Sequence, residues 1–553
     1  MAMPFSLPIV VSTSAMAEPG ASSSARYLSA RHARFHQDSA TAARLYRELL
    51  DEFPDNDRLM RIAFLSLLSD GQVDGAIKVA RQLIKKNPRA GLANTVIALG
   101  QIKSEEYAAV EETLSKAARA RFNALLVPMA EAWGRAGEGR YDDAQRSLNS
   151  LKKKKSYNLF YSYHAALVDD LAGRAEGAEA SYRKTQGKND GFSLRVVEVF
   201  GNFLERQGRT KDARKLYSDF LEADPDNQLI LEADTRAAKG VKPEAIVGSG
   251  RDGAAEAFYG AAAALAPENA YEPALLYVQL ALFLKPDFPA AQSLLGGIHE
   301  GQRRWAEANK AYAGIEPNSA YGWNARIRRA ANLNRLDDVD EAATVLRKLA
   351  SDYPQRTDAL VTLGDIFRAR KRFGEASEVY TVALSRIPEP RVRDWTLFYS
   401  RGITYERTKR WEEAEADFLK ALELRPNQPV VLNYLGYSWI EKGMHIKRAK
   451  AMIEKAVDLR PTDGYIVDSL GWALYTLKDY KGAVKKLERA VALRPEDSII
   501  NSHLGDALWR IGRRIEAVFQ WRHSIVLNPS EELLKELKLK IDKGLDAVDG
   551  DAK

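Results

Sequence analysis

The chain has 553 residues, 45% hydrophobic and 28% charged, a folded composition too long for one ordinary core. Its 82 basic and 75 acidic residues leave a net charge of +7, a small surplus on a mixed surface that gives no support to a nucleic-acid binder. Within these residues the absence of cysteine rules out disulfides, thiolate metal sites, a cysteine nucleophile and lipid attachment through cysteine, and no run approaches the ~18 apolar residues of a transmembrane segment.

In chain order, residues 1–25 form a leader. Its apolar stretch ends in Ala15-Met16-Ala17 before Glu18-Pro19, an A-x-A cleavage pattern that implies export, although no Lys or Arg precedes it. Residues 26–225 are expected to hold six helix pairs, near 27–54, 55–88, 89–122, 123–156, 157–190 and 191–225. Pro54 and Pro88 close two of them 34 residues apart, and Pro225 closes FLEADPDN. Gly100, Trp133-Gly134 and Gly201 fit helix crossings, Ala144 and Ala213 fit second helices, and KKKK at 152–155 fits a solvated helix end. The period breaks over 226–320, where GVKPEAIVGSGRDG precedes Ala-rich helical sequence running to Pro286, then a unit with Leu295-Gly296 and Trp305. Atypical repeats around a longer loop are expected there. A regular array follows over 321–529. Residues 530–553 supply a charged closing helix, EELLKELKLKIDKGL, and a disordered tail, DAVDGDAK.

In the second half, prolines at 354, 388, 426, 461, 495 and 529, glycines at 364, 402, 436, 471 and 505, and alanines at 376, 414, 449, 483 and 517 advance in step. Each type has a mechanical reason. Small residues let two antiparallel helices approach where they cross, aromatics and Leu fill the wedge between pairs, and Pro cannot continue the helical ladder. On Phe398, Gly402, Tyr405, Ala414, Phe418, Ala421 and Pro426, and again on Leu470, Gly471, Ala483, Ala490 and Pro495, the chain resembles the tetratricopeptide repeat family. The resemblance implies an all-α fold, a right-handed superhelix of about 14 helix pairs with a C-terminal capping helix.

Signals for catalysis are weak. Gly248-Ser249-Gly250-Arg251-Asp252-Gly253 matches G-x-G-x-x-G, but a dinucleotide site needs a buried strand before it, and only Ala245-Ile246-Val247 stand there. A loop before a helix N-terminus is the plainer reading. The seven histidines form no helical metal pair, no nucleophile motif occurs, and neither cofactor nor metal is expected.

The family resemblance implies that first-helix positions 2, 5, 9 and 12 line a concave wall. With the crossing glycine as position 8, these positions hold Tyr399 and Glu406, then Asn433 and Tyr437, then Asp468, Trp472 and Tyr475, then Ser502, Asp506 and Trp509, with Arg510 at the edge. Aromatics beside acids are common anchors of protein contacts, so protein partners are expected in this groove; the competing reading packs Trp472 and Trp509 between repeats. The basic clamp by which some members of the family grip a chaperone carboxylate is absent, and Asp468 and Asp506 would repel one. The run from Asp468 to Pro529 also resembles long exported proteins of this family from double-membraned bacteria. Among them is a lipoprotein adaptor that binds a carboxyl-terminal processing protease and delivers cell-wall hydrolases to it. That resemblance implies a non-enzymatic, periplasmic scaffold, here without the lipidated cysteine. The alternative is a cytoplasmic or inner-membrane-associated assembly factor for envelope polysaccharide.

Overall fold

The computed structural model describes residues 22–119, 123–186 and 192–549. Nearly all of the expected leader and the end of the tail, 550–553, lie outside the described residues, as do short pieces of the units near 89–122, 157–190 and 191–225. Among the described residues the regular structure is helical throughout, with no strand. The chain divides into two compact units, Met1–Val345 and Leu346–Lys553, a division that follows neither expected boundary at 225 nor at 320.

The first unit contains the six pairs expected from the sequence. They are Ser23–Phe35 with Ser39–Glu52, Asp57–Ser69 with Val73–Lys86, and Gly91–Lys103 with Tyr107–Ser115; then Asn123–Gly137 with Tyr141–Leu148, Asn158–Leu171 with Ala175–Arg183, and Leu194–Arg206 with Thr210–Leu221. Polar caps start several helices: Asn56 Oδ1 accepts from the backbone of Arg58 and Leu59 at 3.1 Å. The turn within each pair needs one residue in the left-handed region, supplied by Gly71, Gly139, Gly173 and Gly208 at φ near +75°.

In the second unit the pairs are Asp358–Ala369 with Phe373–Ser385, Trp395–Arg407 with Trp411–Leu424, Pro429–Glu441 with Ile446–Leu459, Gly464–Thr476 with Tyr480–Leu493, and Ser498–Arg510 with Arg514–Val526. Glu531–Lys543 follows as the closing helix. The crossing glycines do what the periodicity requires: a Cβ on Gly402 would lie 2.7 Å from the Phe418 ring, and one on Gly471 2.6 Å from Leu487.

The region of broken period departs from the expected loop-bearing repeats. Gly250–Leu265 and Tyr271–Leu284 form a helical hairpin that does not extend the row of pairs. Gly250–Leu265 packs on Gly91–Lys103, Asn123–Gly137 and Asn158–Leu171, while Tyr271–Leu284 packs on Asp57–Ser69 and Gly91–Lys103. These are the first helices of four consecutive pairs, so the hairpin occupies the hollow side of the first array. The sequence of those helices is the cause. Asn123–Gly137 buries Leu125, Leu126, Val127, Met129, Ala130, Ala132 and Trp133 in succession, an apolar surface on every side. A helix of that kind needs cover on every side, and a two-helix layer covers only part of it.

Candidate functional site

In the first unit the inner wall is sealed by specific contacts with the hairpin. Gly250 and Gly253 lie against Asn123–Gly137: a Cβ on Gly250 would sit 2.7 Å from the Gly137 Cα, and one on Gly253 2.1 Å from the Trp133 indole. The Ser249 hydroxyl accepts the Asp252 amide at 3.1 Å, and Asp252 Oδ2 accepts the Gly248 amide at 3.2 Å. The glycine motif is therefore a capped helix start wedged onto a tryptophan, and its small residues are explained by packing.

One turn further along, Glu256 is buried at 2% exposure. It accepts from Arg195 Nε at 2.9 Å and Nη2 at 2.5 Å, and from the Tyr163 hydroxyl at 2.9 Å. Burial pushes the Glu256 carboxyl up, but the Arg195 guanidinium outweighs it and holds the group below the usual carboxylate range. Arg195 also bonds Glu198 at 2.7 Å, and Glu198 accepts the Tyr321 hydroxyl at 2.8 Å. Beside them the Trp133 Nε1–H donates to His164 Nδ1 at 3.2 Å, and burial drives His164 down to about 4.

The second unit differs. Within it no helix crosses the first helices, among the described residues. Tyr399 packs edge-on to Tyr434 with centroids 6.0 Å apart, and the Tyr434 hydroxyl donates to Glu406 at 3.0 Å. Asn433 Nδ2 donates to Ser469 at 3.1 Å, and its Oδ1 accepts no hydrogen bond. Trp472 is the middle of a stack, with Tyr475 on one side at 4.7 Å and His503 on the other at 4.0 Å. His503 Nδ1 stands 3.0 and 3.1 Å from the two carboxylate oxygens of Asp468. Burial lowers the His503 pKa and the Asp468 charge raises it; the charge prevails, so the imidazole holds its proton above its ordinary value. Tyr437, half-buried, completes the row on the Asn433 helix, and burial pushes its hydroxyl up.

Three of the sequence-predicted residues are taken up elsewhere. Asp506, 4% exposed, accepts from Lys540 of the closing helix at 2.7 Å and from Trp521 Nε1 at 2.8 Å. Trp509 lies against Trp521 at 5.3 Å and under Gly544, where a Cβ would meet its ring at 2.6 Å. Arg510 bonds Asp546 at 2.9 Å and the Tyr475 hydroxyl at 3.2 Å. The reason is the end of the array: the last pair has no following pair, so its wall residues anchor the closing segment. Ser502 is likewise buried, at 2% exposure.

Family models described as tetratricopeptide repeat match residues 395–428 and, for a second model, 27–90, 329–389 and 469–521. The chain is a tetratricopeptide repeat protein. A TPR repeat-containing protein of Pseudomonas aeruginosa is 26% identical to it over 187 residues, 34% of this chain and 31% of the relative, so the match spans less than a third of that relative's length. Among solved structures, the APC/C hetero-tetramer Cut9–Hcn1 is similar with a TM-score of 0.38 at 15% identity, covering 95% of this chain and 96% of that one. Yeast Tom70 is similar with a TM-score of 0.34 at 12% identity, covering 96% of each chain.

As a tetratricopeptide repeat protein the chain is a protein-binding scaffold. Sequence reasoning missed three wall features: Tyr465 at position 2, which is 40% exposed, Tyr434, and His503 under Trp472. The repeat register alone selects Tyr465. His503 has no sequence signal of its own, because its role depends on Asp468 one repeat earlier. Among the described residues no cluster of His, Asp and Glu could hold a metal ion, and no helix is long and apolar enough to cross a membrane.

Proposed function

We propose that the inner wall of the second unit is the partner site, and that it takes an extended segment of a protein laid across Tyr399, Asn433, Tyr437, Trp472 and Tyr475. One contrast carries this reading. The first unit's inner wall is filled by the chain's own hairpin, whereas these second-unit side chains keep partial exposure and no helix of that unit covers them. The open Oδ1 of Asn433 offers an acceptor for a partner backbone N–H, and the rings offer apolar area with little conformational freedom to lose. We further propose that the protein acts in the bacterial envelope as an adaptor for a carboxyl-terminal processing protease and its cell-wall hydrolase clients. The resemblance of the 468–529 run to exported adaptors supports that assignment.

Titration of purified processing protease against the full chain tests both levels. Saturable binding is expected, weakened at least ~10-fold by Trp472→Ala with Tyr437→Ala while the helical signal stays intact. Binding that ignores the double variant removes the inner-wall site. Absence of binding to the parent, with recovery of a cytoplasmic polysaccharide-assembly protein instead, removes the envelope adaptor assignment.

A further inference from the structure

The last helix pair carries a second feature, on its outer side. Ile515, Phe519 and Val526 of the helix Arg514–Val526 are 89%, 67% and 74% exposed. At about 100° per residue the three fall within a narrow stripe, and Arg522 falls inside it. The other repeats show that the fold does not require this stripe. Aligned on the buried alanines Ala414, Ala449, Ala483 and Ala517, the corresponding positions hold Glu412, Ala416 and Glu423, then Lys447, Ala451 and Asp458, then Lys481, Lys485 and Ala492. All nine are exposed and none is a large apolar residue. Only in the last pair do all three positions become large and apolar.

The surrounding charge decides what the stripe fits. Arg522, Lys481 and Lys485 make no ion pair among the described residues, and Arg513 ties the two outer helices together through Glu488 at 2.9 Å, so the lysines border the stripe. A second copy of the chain would bring these cations against one another. A lipid surface would submerge Arg522 in the middle of three apolar residues on a single narrow helix face. A carboxylate on a partner helix satisfies both constraints, pairing with Arg522 and the lysines while its apolar face covers Ile515, Phe519 and Val526. The stripe runs three turns, ~16 Å, the length of one helix-on-helix contact.

We propose that the outer face of Arg514–Val526 is a separate docking surface for an amphipathic, acid-flanked helix of a partner protein. A fluorescent helical peptide of leucines flanked by glutamates, titrated against the full chain, tests it beside a matched peptide flanked by lysines and vesicles of anionic phospholipid. The glutamate peptide should bind saturably, the lysine peptide at least ~10-fold more weakly, and Phe519→Glu and the Lys485→Glu, Arg522→Glu pair should each weaken binding by a similar factor. Trp472→Ala with Tyr437→Ala should leave it unchanged, which separates this surface from the inner wall. Equal binding of the two peptides, indifference to both outer-face variants, or equal loss in the inner-wall variant overturns the proposal. So does vesicle binding without peptide binding, or a parent dimer that Phe519→Glu converts to monomer.

Discussion

The Trp133 indole donates to the Nδ1 of His164 inside the first unit, and so fixes that imidazole in its neutral form. Burial holds both His164 and His299 at about 4, below the ordinary value. The unfolded chain therefore takes up these protons first. The stability tied to them is whole above about pH 6.5 and is lost as the pH falls toward 4, by roughly 2–4 kcal/mol per imidazole. His503 in the second unit has the opposite sign. Its raised pKa adds stability below the ordinary value, lost as the pH rises through the folded value. Hydrogen exchange at pH 7 and pH 5 should show the first unit loosening on acidification around its histidines and the second tightening around His503. His164→Gln, which keeps an acceptor for Trp133, should flatten the first response. Identical responses in both units would contradict the assignment.

The glycine motif gives a second test. Gly253→Ala places a methyl into the Trp133 ring and should destabilise the first unit by about 1–3 kcal/mol. Gly248→Ala meets only Asp252 Oδ2 at 3.7 Å and should be nearly neutral. Urea melts of the two variants decide it; equal effects would mean that the helix does not sit on Trp133.

The hairpin is held by one buried ion pair. Glu256→Ala leaves Arg195 without its main partner and should cost about 3–5 kcal/mol, whereas exchanging both residues for apolar side chains of similar volume should cost far less. Exchange protection in 250–284 is the readout. A hairpin that stays fully protected in Glu256→Ala would show that its apolar contacts alone suffice.

At the other end, Asp506→Leu strands Lys540, 2% exposed, beneath the closing helix. That helix should fray at lower temperature, and adding Lys540→Met should restore it. If the single and double variants melt alike, the ion pair contributes nothing to the closing segment.

The helix pairs and their crossing glycines were legible in the sequence because they obey a local rule, a small residue opposite a large one at a fixed spacing. Gly402 against Phe418 and Gly364 against Tyr380 follow it. The hairpin was not legible through periodicity, because its partners lie more than a hundred residues upstream. Its trace was present all the same in Asn123–Gly137, which is apolar on too many sides for a two-layer array. The wall residues were legible as a set of positions, but not by fate. Trp472 and Trp509 occupy neighbouring wall positions, yet one stacks on His503 and the other is covered by Gly544, because only the last repeat has an end to close.

The hairpin also changes how the first unit must assemble. A repeat array folds by nearest-neighbour steps and can begin anywhere along its length. Here the apolar faces of Gly91–Lys103 and Asn123–Gly137 stay uncovered until residues 250–284 have been synthesised. The nascent chain exposes a sticky intermediate for that interval, and the finished unit should unfold in one cooperative step rather than fray pair by pair.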